Sequence, residues 1–368
     1  MRQQTSAATE TTSKGRTIID YSGKTIYVGI DVHQKDYQVA KVINGISLGN
    51  HRMQANAELL IKHLRSHYRG ASFKCVYECS AWGFTLQRQL RLADIECIVV
   101  NAADVATTDK EKRRKTDKVD ALKLARDLES NHLKAIWVPD EDLQKERNLV
   151  RFRKRLKNDL NRSKNRLKSL LKYQGINIPV RFGKACWSYK FMQWVEEEAK
   201  KDILLQDTLM LMLEEVKLLR ELLLKTERKL RELVKRKYEQ KANLLMSTPG
   251  IGRTLATLFL LEIGDIRRFN GFDALNDLIG FCPDKNSSGD TDRDRGITTR
   301  RHKQLRTGLI QAAWQAIRID PALLEVYQQL IKRMKPHHAI IRIARKLLRR
   351  MRAVLLSGQS YQIGLVAG

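Results

Sequence analysis

Residues 143–240 constrain this chain most. They carry helix-forming residues in regular apolar rows with one interruption, at 175–183, where Gly175, Pro179 and Gly183 stand. A stretch of that kind has to fold as long helices. In 143–173 the apolar row is Leu149, Phe152, Leu156, Leu160 and Leu167. The rest is strongly basic, including Arg151, Arg155, Arg162 and Arg166, with Glu146 and Asp159 opposing. In 187–240, Leu209, Met212, Val216, Leu219, Leu223, Thr226, Leu230 and Leu233 fall at the a and d positions of heptads. That spacing predicts a coiled coil or helical hairpin; one long helix packed on its own domain satisfies it equally.

Charge narrows the function. Sixty-nine Lys and Arg face 41 Asp and Glu, a formal net charge of +28. Such an excess repels itself in a compact chain and is relieved by a polyanion, which argues against an ordinary metabolic enzyme and for nucleic acid. No apolar run approaches the ~20 residues a membrane span needs. The Ser/Thr-rich start lacks an apolar signal core, so residues 1–23 read as a disordered lead-in to a cytoplasmic protein. Five scattered cysteines, with no second pair to complete a zinc site, read as reduced thiols.

Residues 24–138 have a different texture. Strand patterns at 25–32, 37–42 and 46–53 precede a helix at 57–68, a strand at 73–77, a helix at 82–92, a strand at 95–100 and a helix at 118–128. Three strands followed by alternating strand and helix predict one mixed sheet with helices on its faces. Asp31 closes the first strand, Glu78 closes the fourth, and Asp117 and Asp120 open a helix. Three residues apart on a helix, Asp117 and Asp120 share a face. Four such oxygen donors suit Mg²⁺ or Mn²⁺, which promote phosphodiester chemistry. Singly, Asp117 also reads as a helix cap, Asp31 as a turn residue and Glu78 as a solvated edge. Their joint order resembles a RuvC-like (RNase H-like) nuclease core.

Residues 139–241 form the basic helical segment, 242–358 a mainly helical domain, and 359–368 a tail. Thr248-Pro-Gly-Ile-Gly252, before a helix, looks like a helix-hairpin-helix element that holds phosphates through Gly250, Gly252 and Arg253; the same glycines also suit a plain turn and cap. Residues 283–296 read as a loop rich in Ser, Gly, Asp and Arg. It contains Ser287-Ser288-Gly289, a hydroxyl beside a flexible glycine.

Taken in order, Gly29-Ile-Asp31-Val, Glu78, and Lys115-Thr-Asp117-Lys-Val-Asp120-Ala resemble the N-terminal domain of the DEDD transposases of the insertion-sequence-110 family. Pro249-Gly-Ile-Gly252, Leu261-Glu-Ile-Gly-Asp265, Gly280-Phe-Cys-Pro283, Ser288-Gly289, Gly296-Ile-Thr298, Leu305-Arg306 and Gln311-Ala-Ala-Trp314 are similar to its second domain. The resemblance implies a DNA recombinase with metal at Asp31, Glu78, Asp117 and Asp120 and a serine nucleophile, Ser288, with Ser287 the alternative. It also implies DNA element ends and target, a structured bridge RNA, a homo-oligomer (dimer or tetramer), and a bacterial or archaeal nucleoid-associated setting. Arg293, Arg295, Arg300 and Arg306 are candidates for the scissile phosphate. Two departures stand out: Arg301-His302 replaces a common Gly-Asn pair, and the serine loop is unusually acidic. His33 reads as a turn residue, with tuning of the metal or of a proton transfer the alternative, and Trp314 as a packing residue. A metal-dependent junction-resolvase-like endonuclease, or a non-catalytic nucleic-acid-binding protein, would use the same basic helices.

Overall fold

A computed structural model describes residues 9–11, 17–105, 116–183, 187–288 and 291–364, with the backbone alone for 9–11, 17–18, 283–288 and 291–296. The chain forms two compact units, Met1–Val138 and Pro139–Gly368. Within the stretch expected to be a lead-in, β1 (Thr9–Thr11) and β2 (Thr17–Ile19) pair antiparallel.

The first unit is built on a five-stranded sheet of β3 (Thr25–Val32), β4 (Asp36–Ile43), β5 (Ile46–Gln54), β6 (Ser72–Glu78) and β7 (Glu96–Val100), in the order β5-β4-β3-β6-β7. Strands β3, β4 and β5 form an antiparallel meander, and β6 and β7 run parallel to β3. Helices α1 (Ala57–His67) and α2 (Thr85–Leu92) cover one face with Leu60, Leu64, Leu86 and Leu90 against Ile26, Val28, Ile30 and Cys75. Helix α2 starts later than the apolar pattern suggests, because 80–83 turn tightly, with Gly83 N–H donating to the Ser80 carbonyl.

Helix α3 (Asp117–Glu129) lies on the opposite face and approaches it very closely. Ala121 and Ala125 are fully buried there, and a Cβ added to Gly29 would stand 2.0 Å from the Ala121 carbonyl oxygen. The helix is pinned at both ends. Asn50 Nδ2 donates to the Lys118 carbonyl (2.6 Å), and Gly45 N–H donates to Glu129 Oε2 (3.0 Å).

In the second unit, α4 (Glu141–Tyr173) and α6 (Ile203–Lys237) lie side by side. Lys237 pairs with Glu146, Arg153 with Glu227, and Ser163 with Glu215, so rising numbers on one helix meet falling numbers on the other. The two run antiparallel. The heptad row supplies the seam: Leu209, Val216, Thr226, Leu230 and Leu233 are buried. The expected single block 187–240 is in fact three helices, α5 (Tyr189–Ala199), α6 and α7 (Glu239–Met246). Asp202 causes the first break, capping α6 by accepting from Leu204 and Leu205 N–H. Beyond α7 come α8 (Arg253–Ile263), α9 (Phe272–Ile279), α10 (Lys303–Ile319), α11 (Pro321–Ile331) and α12 (Pro336–Ser357) around a common apolar core. Trp314 packs edge-on against Tyr327 between α10 and α11, at 5.8 Å.

Glu262 ties α4 to α8. Its carboxylate is almost fully buried and takes two 2.8 Å hydrogen bonds from Arg151, while Arg147 donates to the Leu261 and Glu262 carbonyls that end α8. Burial pushes the Glu262 carboxyl up, but Arg151 and His302 outweigh burial and hold it at about 2. A carboxyl depressed in the folded state stabilises the fold above its ordinary range, and that contribution fades as pH falls toward 2. Glu262→Ala is therefore expected to cost about 3 kcal/mol at pH 7, because it takes the counter-charge from the buried Arg147 guanidinium 3.9 Å away as well as from Arg151. The gap to wild type should shrink on acidification. Urea unfolding followed by circular dichroism at pH 7 and pH 3 checks it; a gap independent of pH would contradict the assignment.

Candidate metal centre and nucleic-acid surfaces

The sheet sets the first two acids on neighbouring strands, although of the pair only Asp31 joins the ligand cluster described below. Ile30 and Tyr77 are register partners on parallel strands, so the next residue on each, Asp31 and Glu78, stand side by side at the strand ends. Side chains alternate along a strand, so Asp31 shares the face of Gly29, two residues back, and that is the face α3 covers. Glu78 shares the face of Val76, which packs with Leu124 of α3.

Helix α3 supplies the other two. Its cap is Thr116, whose side chain accepts from Val119 N–H, so Asp117 is not needed for capping. Asp117 and Asp120 occupy the first turn. Burial raises the Asp31 carboxyl; His33 pulls it down, and Asp117 and Asp120 push it up again. Ligand atoms of Asp31, His33 and Asp117 all lie within 4.8 Å of one another. A half-buried carboxylate crowded by two others is a donor set that a divalent cation would neutralise. His33, read from sequence as a turn residue, is in the turn but also in this cluster; its Nε2 is 3.1 Å from Asp31 Oδ2.

The serine segment is not a loop. β8 (Pro283–Ser288) and β9 (Thr291–Ile297) pair antiparallel, with Ser288 opposite Thr291 and Ser287 opposite Asp292. Polar strands without apolar alternation give no strand signal, yet backbone pairing needs none. Gly289 lies outside the described residues, as do the side chains of Ser287, Ser288, Arg293 and Arg295.

Several expected phosphate ligands also make contacts within the fold. Arg151 is bound to Glu262. Arg306 donates to the Gly280 and Thr298 carbonyls, 2.7 Å each, tying down the base of the hairpin. Arg162 pairs with Asp159, and Arg166 lies 3.9 Å from Glu215. Arg151, Arg162 and Arg166 are nonetheless exposed, as are Arg155, Arg253 and Arg300. Gly250, at φ 78°, is required by packing, since a Cβ would stand 2.2 Å from the Ala312 carbonyl oxygen; Gly252 opens α8 onto free space. His302, at the departure from the family pattern, caps α10 by accepting from Leu305 N–H, and sits 3.5 Å from Glu262.

One surface has no counterpart in the sequence analysis, where 242–358 is only a mainly helical domain. A groove of about 740 Å³ runs beside α12, and Phe281, Ile297, Met334, Arg342, Lys346 and Arg349 are among the residues that line it. Ile297 ends β9, so the groove begins at the base of the serine hairpin.

A five-stranded α/β unit with acids at its strand ends, followed by a mostly helical basic unit, is the build of a DEDD transposase. Residues 28–174 match the model of IS110-type DEDD transposases, described as a transposase, and residues 242–328 match the model described as "Transposase IS116/IS110/IS902 family". A Sinorhizobium fredii chain carrying the transposase name y4qE is 29% identical over 308 residues, covering 82% of this chain and 73% of its own. The "Transposase for insertion sequence element IS1533" of Leptospira borgpetersenii is 26% identical over 252 residues, 66% of this chain and 71% of its own. The chain belongs to the IS110 family of transposases. No described helix is long and apolar enough to cross a membrane.

Proposed function

We propose that this transposase breaks and rejoins DNA through a phosphoserine link, with Ser288 as nucleophile and the carboxylates Asp31, Glu78, Asp117 and Asp120 as the holder of Mg²⁺ or Mn²⁺. The observation that carries the reading is the clustering of Asp31 and Asp117, with Asp120 close enough to raise Asp31, at the strand ends of an IS110-family chain. A divalent cation bound there supplies stabilisation of charge on a phosphate oxygen. The Ser288 oxygen attacks phosphorus and loses its proton, while the P–O bond to the departing deoxyribose breaks and that oxygen gains one. Phosphodiester energy is conserved in the serine ester, so rejoining needs no ATP. In this reading a structured RNA pairs with element and target DNA, and subunits assemble as a dimer or tetramer.

A covalent-adduct assay tests it. Purified protein, Mg²⁺, element-end DNA and co-expressed flanking RNA are mixed, denatured and run on a gel. Protein-linked DNA is expected for wild type and Ser287→Ala, with complete loss for Ser288→Ala. Cleavage persisting in Ser288→Ala without an adduct would favour a hydrolytic nuclease instead. Nucleic-acid binding with no cleavage by any variant would favour a binding protein.

Nucleic acid in this reading follows the exposed cations, Arg155, Arg253 and Arg300, and the α12 groove. The hairpin's Arg293 and Arg295 are assigned to the scissile phosphate. Each Lys or Arg neutralising a phosphate contributes about one to the slope of log affinity against log salt. The triple variant Arg342→Ala, Lys346→Ala, Arg349→Ala is expected to lower that slope by about three, measured by fluorescence anisotropy. An unchanged slope would remove the groove from the binding surface.

A further inference from the structure

We infer that His33 is a direct nitrogen ligand of the cation held by the acid cluster. This rests on the metal-site reading above and adds to the four carboxylates a ligand from a different element, the β3–β4 turn.

The geometry is specific. His33 Nε2 stands 3.1 Å from Asp31 Oδ2 and 3.4 Å from Asp117 Oδ2. Two ligand atoms each about 2.1 Å from one ion, at right angles, stand about 3.0 Å apart. The two separations are thus close to those of neighbouring ligands around a six-coordinate ion. The turn accounts for the placement: His33 N–H donates to the Asp36 carbonyl (3.0 Å), closing the chain one residue after β3 and turning the ring back over the strand end.

A second feature stands at the far end of the same turn. Asp36 Oδ2 is held by Arg52 at 2.7 Å, while Asp36 Oδ1 is buried with no hydrogen-bond partner among the described residues. His33 stands near enough to this carboxyl to help lower it, after the larger effect of Arg52. Imidazoles that bind metal commonly donate their second N–H to a carboxylate, which sets the tautomer and leaves the other nitrogen free to ligate. Asp36 offers an acceptor already oriented by Arg52. The competing arrangement is an imidazolium that bridges two carboxylates and touches no metal.

The consequence is selectivity. Oxygen donors alone suit Mg²⁺, whereas an imidazole favours later transition ions. Removing it should therefore weaken binding of Co²⁺ much more than binding of Mg²⁺.

The test uses the full chain loaded with Mn²⁺ and pulsed electron paramagnetic resonance, which detects a ligating nitrogen through its ¹⁴N coupling. Wild type is expected to show that coupling. His33→Ala should lose it while still binding Mn²⁺, and His132→Ala, at an exposed histidine outside the cluster, should keep it. Co²⁺ affinity is expected to fall about tenfold in His33→Ala, with Mg²⁺ affinity changing less than about threefold. Mn²⁺ bound in wild type and lost in Asp31→Asn, but without nitrogen coupling, would overturn the role of His33 and leave the carboxylate site standing. Failure to bind Mn²⁺, or binding indifferent to Asp31→Asn, would overturn both.

Discussion

Asp31→Asn is expected to abolish metal-dependent strand breakage, by at least about 10³-fold, since a cation's stabilisation of the reacting phosphate is worth several kcal/mol and each 1.4 kcal/mol is tenfold. The same change should leave the metal-free protein folded and slightly more stable at neutral pH. Burial raises the Asp31 carboxyl, and Asp117 and Asp120 add to the shift against the pull of His33. A carboxyl raised in the folded state disfavours folding once pH exceeds its ordinary value, and that penalty disappears below it. Removing the charge removes the penalty. Cleavage assays and thermal unfolding without metal, at pH 7 and pH 3.5, check both halves. Wild-type cleavage by Asp31→Asn would sink the metal centre, and a lower melting temperature at pH 7 would contradict the electrostatic account.

Gly29→Ala should reach the same loss without touching a carboxylate. The new Cβ would meet the Ala121 carbonyl oxygen at 2.0 Å and the Ala125 nitrogen at 2.6 Å, both backbone atoms that no rotamer change can clear. Helix α3 must lift from the sheet, at a cost of about 3 kcal/mol. Asp117 and Asp120 move with it, because they form its first turn. A displacement of about 1 Å in a catalytic constellation costs on the order of 10²-fold in rate. Metal affinity and cleavage are expected to fall together, with the second unit's helices unaffected. Full cleavage by Gly29→Ala would mean that the acids do not depend on this contact.

Much of the first unit was legible because its signals are local. Strand β3 is read correctly from Thr25 to Val32, and α3 to within a residue at each end, since apolar alternation and helical spacing are written in consecutive residues. The same locality explains the failures. The hairpin around Ser288 has no apolar alternation to betray it. The break at 200–202 is made by one capping aspartate inside an otherwise continuous helical pattern.

Arginine roles show the limit most clearly. In sequence, Arg151, Arg155, Arg162 and Arg166 are equivalent members of a basic run. In the fold all four are exposed, yet Arg151 also neutralises a buried glutamate on another helix. A partner more than a hundred residues away leaves no trace in local spacing.

The sequence by itself determined the chemistry available: a polycationic chain, an α/β unit with acids at its strand ends, and long amphipathic helices, all of which follow from residue type and short-range periodicity. Tertiary structure alone decided which groups meet. Strand register set Asp31 beside Glu78. The lack of a Cβ at Gly29 let α3 come close enough to bring in Asp117. A three-residue turn folded His33 back onto both. Those outcomes depend on distances between segments far apart in the chain, and such distances exist only once the backbone has packed.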